Sequence, residues 1–245
     1  MWNFSQEYAN AINDIPGAVT LFDHDGDNFV DKVYVGDMNG RMWELDAHDG
    51  SNPNGTEEIL GVECEIPLYN VGNVNHPISV SPAIIRNSMN HVVLIFGTGG
   101  SDWASDEQNY ALYAIDVTDK LENKTYAAGA ASTLWKIDLA EGEKVWSAPT
   151  VAAEQVFFAT SFGTMESSDL RVDLMIKTGH LYCVDIADGS EEWTLNNIGK
   201  TRGSIFVDRR HIYVSTIDNE VIQIGGEDFS DGSISGVILK AWKQF

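Results

Sequence analysis

The chain has 245 residues, 43% hydrophobic and 10% aromatic, which is enough apolar mass for one large β domain or two small ones and too much for a disordered chain. Its charge is lopsided, with 15 Lys plus Arg against 37 Asp plus Glu and a net charge of −22. Such a surface repels phosphate backbones and anionic headgroups, which argues against nucleic acid as a partner, and no apolar run is long enough for direct membrane insertion as a helix.

The opening Met1-Trp2-Asn3-Phe4 reads as a closing strand with no blade before it. It has no basic region followed by an apolar run, so it is not a signal peptide. Residues 7–15 read as a short helix or turn. A strand is expected over residues 18–22, then a nine-residue acidic loop, then a strand over 33–37. Asn39-Gly40 is a strong hairpin signal, and residues 41–46 alternate as a strand does.

The acidic loop, Asp23-His24-Asp25-Gly26-Asp27-Asn28-Phe29-Val30-Asp31, is where the chemistry concentrates. Its four carboxylates stand at alternate positions and repel one another if left unpaired. The central glycine lets the backbone curl so that they turn toward one point. The expected occupant is a hard cation with 6–8 oxygen ligands, and calcium suits so many protein oxygens better than magnesium, which keeps its waters. Asp23, Asp25, Asp27 and Asp31 would supply carboxylates, and Phe29 its backbone carbonyl. The loop is not an EF-hand, because the twelfth position from Asp23 is Tyr34 rather than glutamate and the flanks read as strands rather than helices.

Three further segments repeat the same grammar. The second has strands over 79–85, 91–99, 111–116 and 133–138. Between them, residues 118–131 read as a loop with a helical turn. The third has strands over 147–151, 156–160, 180–185 and 191–195. The fourth has strands over 203–207, 211–215, 220–224 and 237–242. Tandem four-stranded units bounded by Gly, Asp and Asn turns predict an all-β fold, a β-propeller of four-stranded blades. The blades fall at about 15–70, 77–139, 145–197 and 200–245 of a single domain, 1–245. Four blades, with an orphan closing strand ahead of them, lead us to expect part of a larger propeller, either a processed piece or one completed by another chain.

Cys183 to Trp193 resembles the tryptophan-docking repeat of quinoprotein-type propellers, in which a turn glycine (Gly189) and a tryptophan lock one blade on the next. Cys183 and Asp188 depart from that pattern's alanine and threonine, and the first repeat keeps Asp46-Ala47-His48-Asp49-Gly50 without the tryptophan. Asp46, Asp116 and Asp185 are read as turn caps. Trp2, Trp43, Trp135, Trp146, Trp193 and Trp242 are expected between blades, with Trp103 exposed.

Catalytic signals are poor. The six histidines share no spacing, and the glycine run 97–100 lacks the lysine and helix of a phosphate loop. There is no C-x-x-C-H for a haem, and Cys64 and Cys183 are compatible with pairing or with free thiols. The acidic stretch 101–107 lacks a compact ligand register and reads as a solvated loop.

With the calcium loop between the strands of a quinoprotein-like blade, the chain resembles the C-terminal domain of the PilY-type type IV pilus biogenesis factors and tip adhesins. Residues 23–43, Phe96-Gly97-Thr98-Gly99 with Leu112-Tyr113-Ala114-Ile115-Asp116, and Met1-Trp2-Asn3-Phe4 carry the resemblance over residues 1–140; the later blades resemble generic quinoprotein-like repeats. The resemblance implies a non-enzymatic, calcium-binding propeller at the bacterial cell surface, on or near the pilus tip, with pilin or minor pilins as partners. It also implies a part in pilus extension and retraction and in surface attachment. Transferred to this chain, the ligands are Asp23, Asp25, Asp27, the Phe29 carbonyl and Asp31. Two alternatives stand beside it: a quinone-dependent dehydrogenase, and a scaffold propeller of outer-membrane assembly that needs no metal loop.

Overall fold

The computed structural model describes residues 7–8, 11–12, 14–59, 61–100, 108–118, 131–163, 179–201, 203–208, 211–217, 220–225 and 240–243. Met1-Trp2-Asn3-Phe4, the acidic stretch 101–107 with Trp103, residues 119–130 and the start of the last expected strand lie outside these. The chain divides into two compact units, Met1–Gly99 with Leu112–Lys136, and Gly100–Ala111 with Ile137–Phe245.

The fold is all-β, as expected. The N-terminal stretch read as a short helix or turn is instead a small hairpin, β1 (Glu7–Tyr8) against β2 (Ala11–Ile12). The first blade is β3 (Thr20–Phe22), β4 (Lys32–Gly36) and β5 (Arg41–Asp46), followed by β6 (Thr56–Ile59), β7 (Val62–Glu65) and β8 (Tyr69–Asn70). Its sheet runs β3-β4-β5-β8, all antiparallel, and β6 and β7 form a separate hairpin inserted before the outer strand. The second blade is β9 (Ala83–Arg86), β10 (Val92–Gly97), β11 (Ala111–Asp116) and β12 (Ser132–Asp138), in that spatial order.

The third blade opens with β13 (Glu143–Val145), β14 (Ser147–Ala148) and β15 (Thr150–Ala152), then β16 (Gln155–Phe162), β17 (His180–Asp185) and β18 (Glu191–Asn196). The eight-residue β16 is flanked by β15 over its first half and by β13 over its second. The fourth blade is β19 (Gly203–Ser204), β20 (Phe206–Val207), β21 (Ile212–Ser215), β22 (Glu220–Ile224) and β23 (Lys240–Lys243). Its sheet order is β20-β21-β22-β23, while β19 pairs in parallel with β14 of the third blade.

Apolar alternation explains the strands. The middle strands β10 and β16 are buried on both faces, so they read as continuous apolar runs such as Val92-Val93-Leu94-Ile95-Phe96. In the second unit Phe157, Leu181, Cys183, Ile205, Ile212, Val214, Ile222 and Ile224 make one core that joins the third and fourth blades, and Trp193 packs against it. Its ring lies 6.1 Å from that of Phe157. This is the blade-locking place expected of that tryptophan. Trp43, Trp135 and Trp146 are also buried.

Two repeated devices set the register. Val35–Trp43, Phe96–Tyr113 and Phe158–Tyr182 are equivalent cross-strand pairs. Two residues beyond the first member of each stand Asp37, Thr98 and Thr160, all fully buried; the first two directly follow β4 and β10, and Thr160 lies inside β16. Asp37 shows the use of such a buried polar group: Oδ1 accepts the N–H of Asn39 (2.8 Å) and Arg41 (3.0 Å), and Oδ2 accepts the Trp43 indole N–H (3.0 Å). The second device is a hydroxyl stitch between neighbouring blades. Thr20 donates to the Pro82 carbonyl in the first unit; in the second, Thr150 donates to Ile205 (2.7 Å) and Ser147 to Gly203 (2.6 Å).

The aspartates read as turn caps are caps. Asp46, Asp116 and Asp185 accept from the N–H two residues on, at 2.9, 2.8 and 2.7 Å. The turns at Asp46–Ser51 and Asp185–Ser190 are hydrogen-bonded alike, with Gly50 and Gly189 at φ +75° and +71°. Cys64 and Cys183 are both buried free thiols.

Candidate metal centre

The acidic loop joins β3 to β4 in the first unit. Phe22 pairs with Lys32, and the Asp31 N–H donates back to the Phe22 carbonyl at 2.9 Å, so the loop closes on itself at its base. The exit is anchored again where Ala47, after β5, donates to the Asp31 carbonyl at 2.9 Å. Two left-handed residues bend the chain between these points, Gly26 at φ +80° and Asn28 at φ +73°. Glycine takes that conformation without penalty and asparagine tolerates it, which is why these residues occupy the bend.

The bend brings Asp23, Asp25 and Asp27 together. One carboxylate oxygen from each lies within 4.8 Å of the others, with Asp23 half-buried and Asp25 and Asp27 exposed. The aspartates also build the loop that holds them. Asp23 Oδ1 accepts from Gly26 (2.7 Å) and its Oδ2 from Asn28 (2.8 Å); Asp25 accepts from Asp27 (3.1 Å) and Asp27 from Phe29 (2.8 Å). Calcium–oxygen distances of 2.3–2.6 Å put two oxygens on one ion up to about 5 Å apart, so the three carboxylates are spaced to share a cation.

The other two expected ligands stand differently. Asp31 is outside this group of three: it is half-buried, and its Oδ2 accepts the His24 N–H at 2.7 Å. Phe29 anchors the turn through its N–H, and its side chain is 74% exposed. The nearest lysine in sequence does not neutralise the loop. Lys32 turns inward to Glu44 (3.4 Å) and Asp46 (3.8 Å). Arg86 reaches the His24 carbonyl at 3.2 Å, and four aspartates against this one guanidinium leave the local charge negative, so a hard oxygen-seeking cation is the ligand this donor set suits.

Sequence reasoning missed a second polar cluster, in the third blade. Glu143 is 1% exposed. Its Oε1 accepts from the Thr160 hydroxyl and from Tyr182 Oη (2.9 Å) and lies 3.2 Å from His180 Nδ1, while its Oε2 accepts the Ala140 N–H at 3.1 Å. Burial and the Glu143 charge push the Tyr182 hydroxyl well above its usual range. These partners satisfy a buried carboxylate, which makes the cluster a structural clasp between β13, β16 and β17. A charged residue in a three-residue strand leaves no periodic trace, so no pattern would have flagged it. Elsewhere His91 meets Asp116 (2.8 Å) and His211 meets Asp208 (3.5 Å), pairs local to their own blades.

No curated protein matches the sequence. Among solved structures the fold matches the C-terminal domain of PilY1 from Pseudomonas aeruginosa, with TM-score 0.52, 16% identity, and coverage of 75% of this chain and 49% of that one. It also matches quinohemoprotein alcohol dehydrogenases. For ADHIIG of Pseudomonas putida HK5 the TM-score is 0.51 at 13% identity, covering 87% of this chain and 33% of that one. For the Comamonas testosteroni enzyme the TM-score is 0.51 at 15% identity, covering 80% and 32%. The chain thus spans about half of the PilY1 domain and a third of each dehydrogenase. At these identities the likeness is one of fold. A family model described as outer membrane protein assembly factor BamB matches residues 28–235, and the chain therefore belongs to this family of PQQ-type β-propellers.

Proposed function

We propose that the chain is a calcium-binding, non-enzymatic component of a type IV pilus, acting at the pilus tip or in pilus assembly and in calcium-dependent extension and retraction. One observation carries the reading: the carboxylates of Asp23, Asp25 and Asp27 converge in a loop between two strands of a PQQ-type blade. The fold match to the PilY1 domain supports it. In this reading the protein works at the cell surface with pilin or minor pilins as partners, and surface adhesion follows from display at the tip. Calcium acts structurally. It neutralises the loop and pins β3 to β4, so its loss loosens one blade edge, a local change of the kind that biases a switch.

The family description favours a second reading, a scaffold propeller in outer-membrane assembly, which requires no cation. The dehydrogenase matches keep quinone-dependent oxidation as a third reading, which requires a quinone held in the propeller. One experiment separates them. Asp23 and Asp27 are replaced by alanine in the native host, and surface pili and retraction are scored with calcium or chelator. The pilus reading expects calcium-dependent piliation that the variant loses. Unchanged piliation with altered outer-membrane protein content sinks it in favour of the scaffold.

A further inference from the structure

The acidic loop is held to the neighbouring blade. Arg86, the last residue of β9, donates through Nη2 to the His24 carbonyl at 3.2 Å. Through Nη1 it donates to the carbonyl and to Oδ1 of Asn90, at 3.4 Å each. One guanidinium therefore joins a backbone carbonyl lying between Asp23 and Asp25 to the far side of the β9–β10 turn. That turn is itself well defined. Asn87 Oδ1 accepts from Met89 (3.1 Å) and His91 (2.9 Å), the Asn87 carbonyl accepts from Asn90 (2.9 Å), and Asn90 sits at φ +66°. Met89, at its tip, is 62% exposed. The Thr20–Pro82 hydrogen bond holds the strands at the base of both elements side by side.

We propose that Arg86 is a positioning residue that couples cation binding in the loop to the β9–β10 turn of the second blade. The proposal rests on the cation reading above. An ion drawing in the Asp23 and Asp25 carboxylates must orient the His24 peptide between them, and the fork passes that constraint to Asn90. In the other direction, the clamp holds the loop in its binding form before the ion arrives. The task suits arginine, whose rigid planar fork holds two separated acceptors at a fixed spacing, whereas a lysine ammonium is a compact point charge.

Arg86 has two opposed effects on the ion, and this makes the proposal decidable. Its positive charge disfavours a nearby cation, so a residue acting only as a charge would, when removed, let calcium bind more tightly. A positioning residue does the opposite: Arg86→Gln weakens calcium binding by about fivefold, the worth of one ordinary hydrogen bond. Arg86→Lys, which keeps the charge and loses the fork, weakens it likewise.

The test is calcium titration calorimetry on the native chain and both variants, paired with amide exchange over residues 86–92 with and without calcium. The expected result is weaker binding in both variants, with turn amides that gain protection on calcium binding in the native chain alone. Equal or tighter binding by Arg86→Gln overturns the proposal, as does a native turn that ignores the ion or a variant turn that still responds. In those cases the cation site itself stands. No binding by the native chain overturns the cation reading and the coupling together.

Discussion

Asp25→Asn changes the loop's charge while keeping its turn, because asparagine offers the same Oδ1 to the Asp27 N–H that Asp25 holds at 3.1 Å. Three carboxylates within 4.8 Å of one another make three repelling pairs, two of which include Asp25. At that spacing each pair costs about 0.9 kcal/mol in a water-like dielectric, so the substitution relieves about 1.7 kcal/mol. Part of this repulsion persists among sequence neighbours in the unfolded chain, which leaves roughly 1 kcal/mol of net stabilisation. In chelator, then, the variant is the more stable protein, by about 2–4 °C in melting temperature for a chain of this size. Calcium reverses the order. Losing one charged ligand weakens binding by about tenfold to a hundredfold. At calcium a hundredfold above the native dissociation constant, the native chain gains about 2.7 kcal/mol. A variant weakened a hundredfold gains only about 0.4 kcal/mol. Thermal unfolding of both proteins in chelator and in calcium shows whether the curves cross. A variant less stable in both conditions, or shifted equally by calcium, refutes the reasoning.

Other consequences are simpler to read. Gly40→Ala puts a Cβ 2.5 Å from a Val71 methyl and 2.8 Å from the His76 carbonyl oxygen at φ +75°; urea unfolding should show a loss of more than about 1–2 kcal/mol, and a neutral variant contradicts the turn geometry. Glu143→Leu strips the acceptor from two hydroxyls and the Ala140 N–H, an expected cost of about 2–4 kcal/mol in the same assay, whereas an unchanged midpoint would show the clasp to be dispensable. Burial, with Glu192 and Asp185 adding, pushes the Cys183 thiol up to about 12. The folded chain thus keeps a proton that the unfolded thiol gives up near its ordinary value of 9.0. The stability linked to this proton is intact below pH 9 and is lost as pH rises toward 12. At pH 8 a thiol reagent should label neither cysteine in the native protein and both in urea; native labelling contradicts the burial.

The blade pattern was legible because propeller strands are short, apolar and punctuated by turn residues. Residues 41–46, 111–116, 180–185 and 220–224 are legible as strands to the residue, and the aspartates that end the first three cap hydrogen-bonded turns. The convergence of Asp23, Asp25 and Asp27 is legible for a related reason: alternation around Gly26 is the spacing that a left-handed bend brings to one point. What stayed hidden was carried by charge or brevity. The hairpin of β6 and β7 is acidic and mostly exposed, so it shows no apolar alternation. Strand β13 is three residues long and holds a buried glutamate and lysine, the reverse of the usual strand signal. Residues 7–15 read as a short helix or turn because the two-residue strands β1 and β2 are shorter than any period. The role of Asp37 depends on the indole of Trp43 and so on a cross-strand contact, which local patterns do not encode.

Calcium titration by isothermal calorimetry on the native chain, with Asp23→Ala/Asp27→Ala as its control, addresses the central claim most directly. The expected result is one calcium per chain at the β3–β4 loop and no binding in the control. Absence of binding by the native chain, or binding that survives in the control, contradicts a cation site built on Asp23, Asp25 and Asp27, and would leave a PQQ-type propeller whose acidic loop is only a solvated turn.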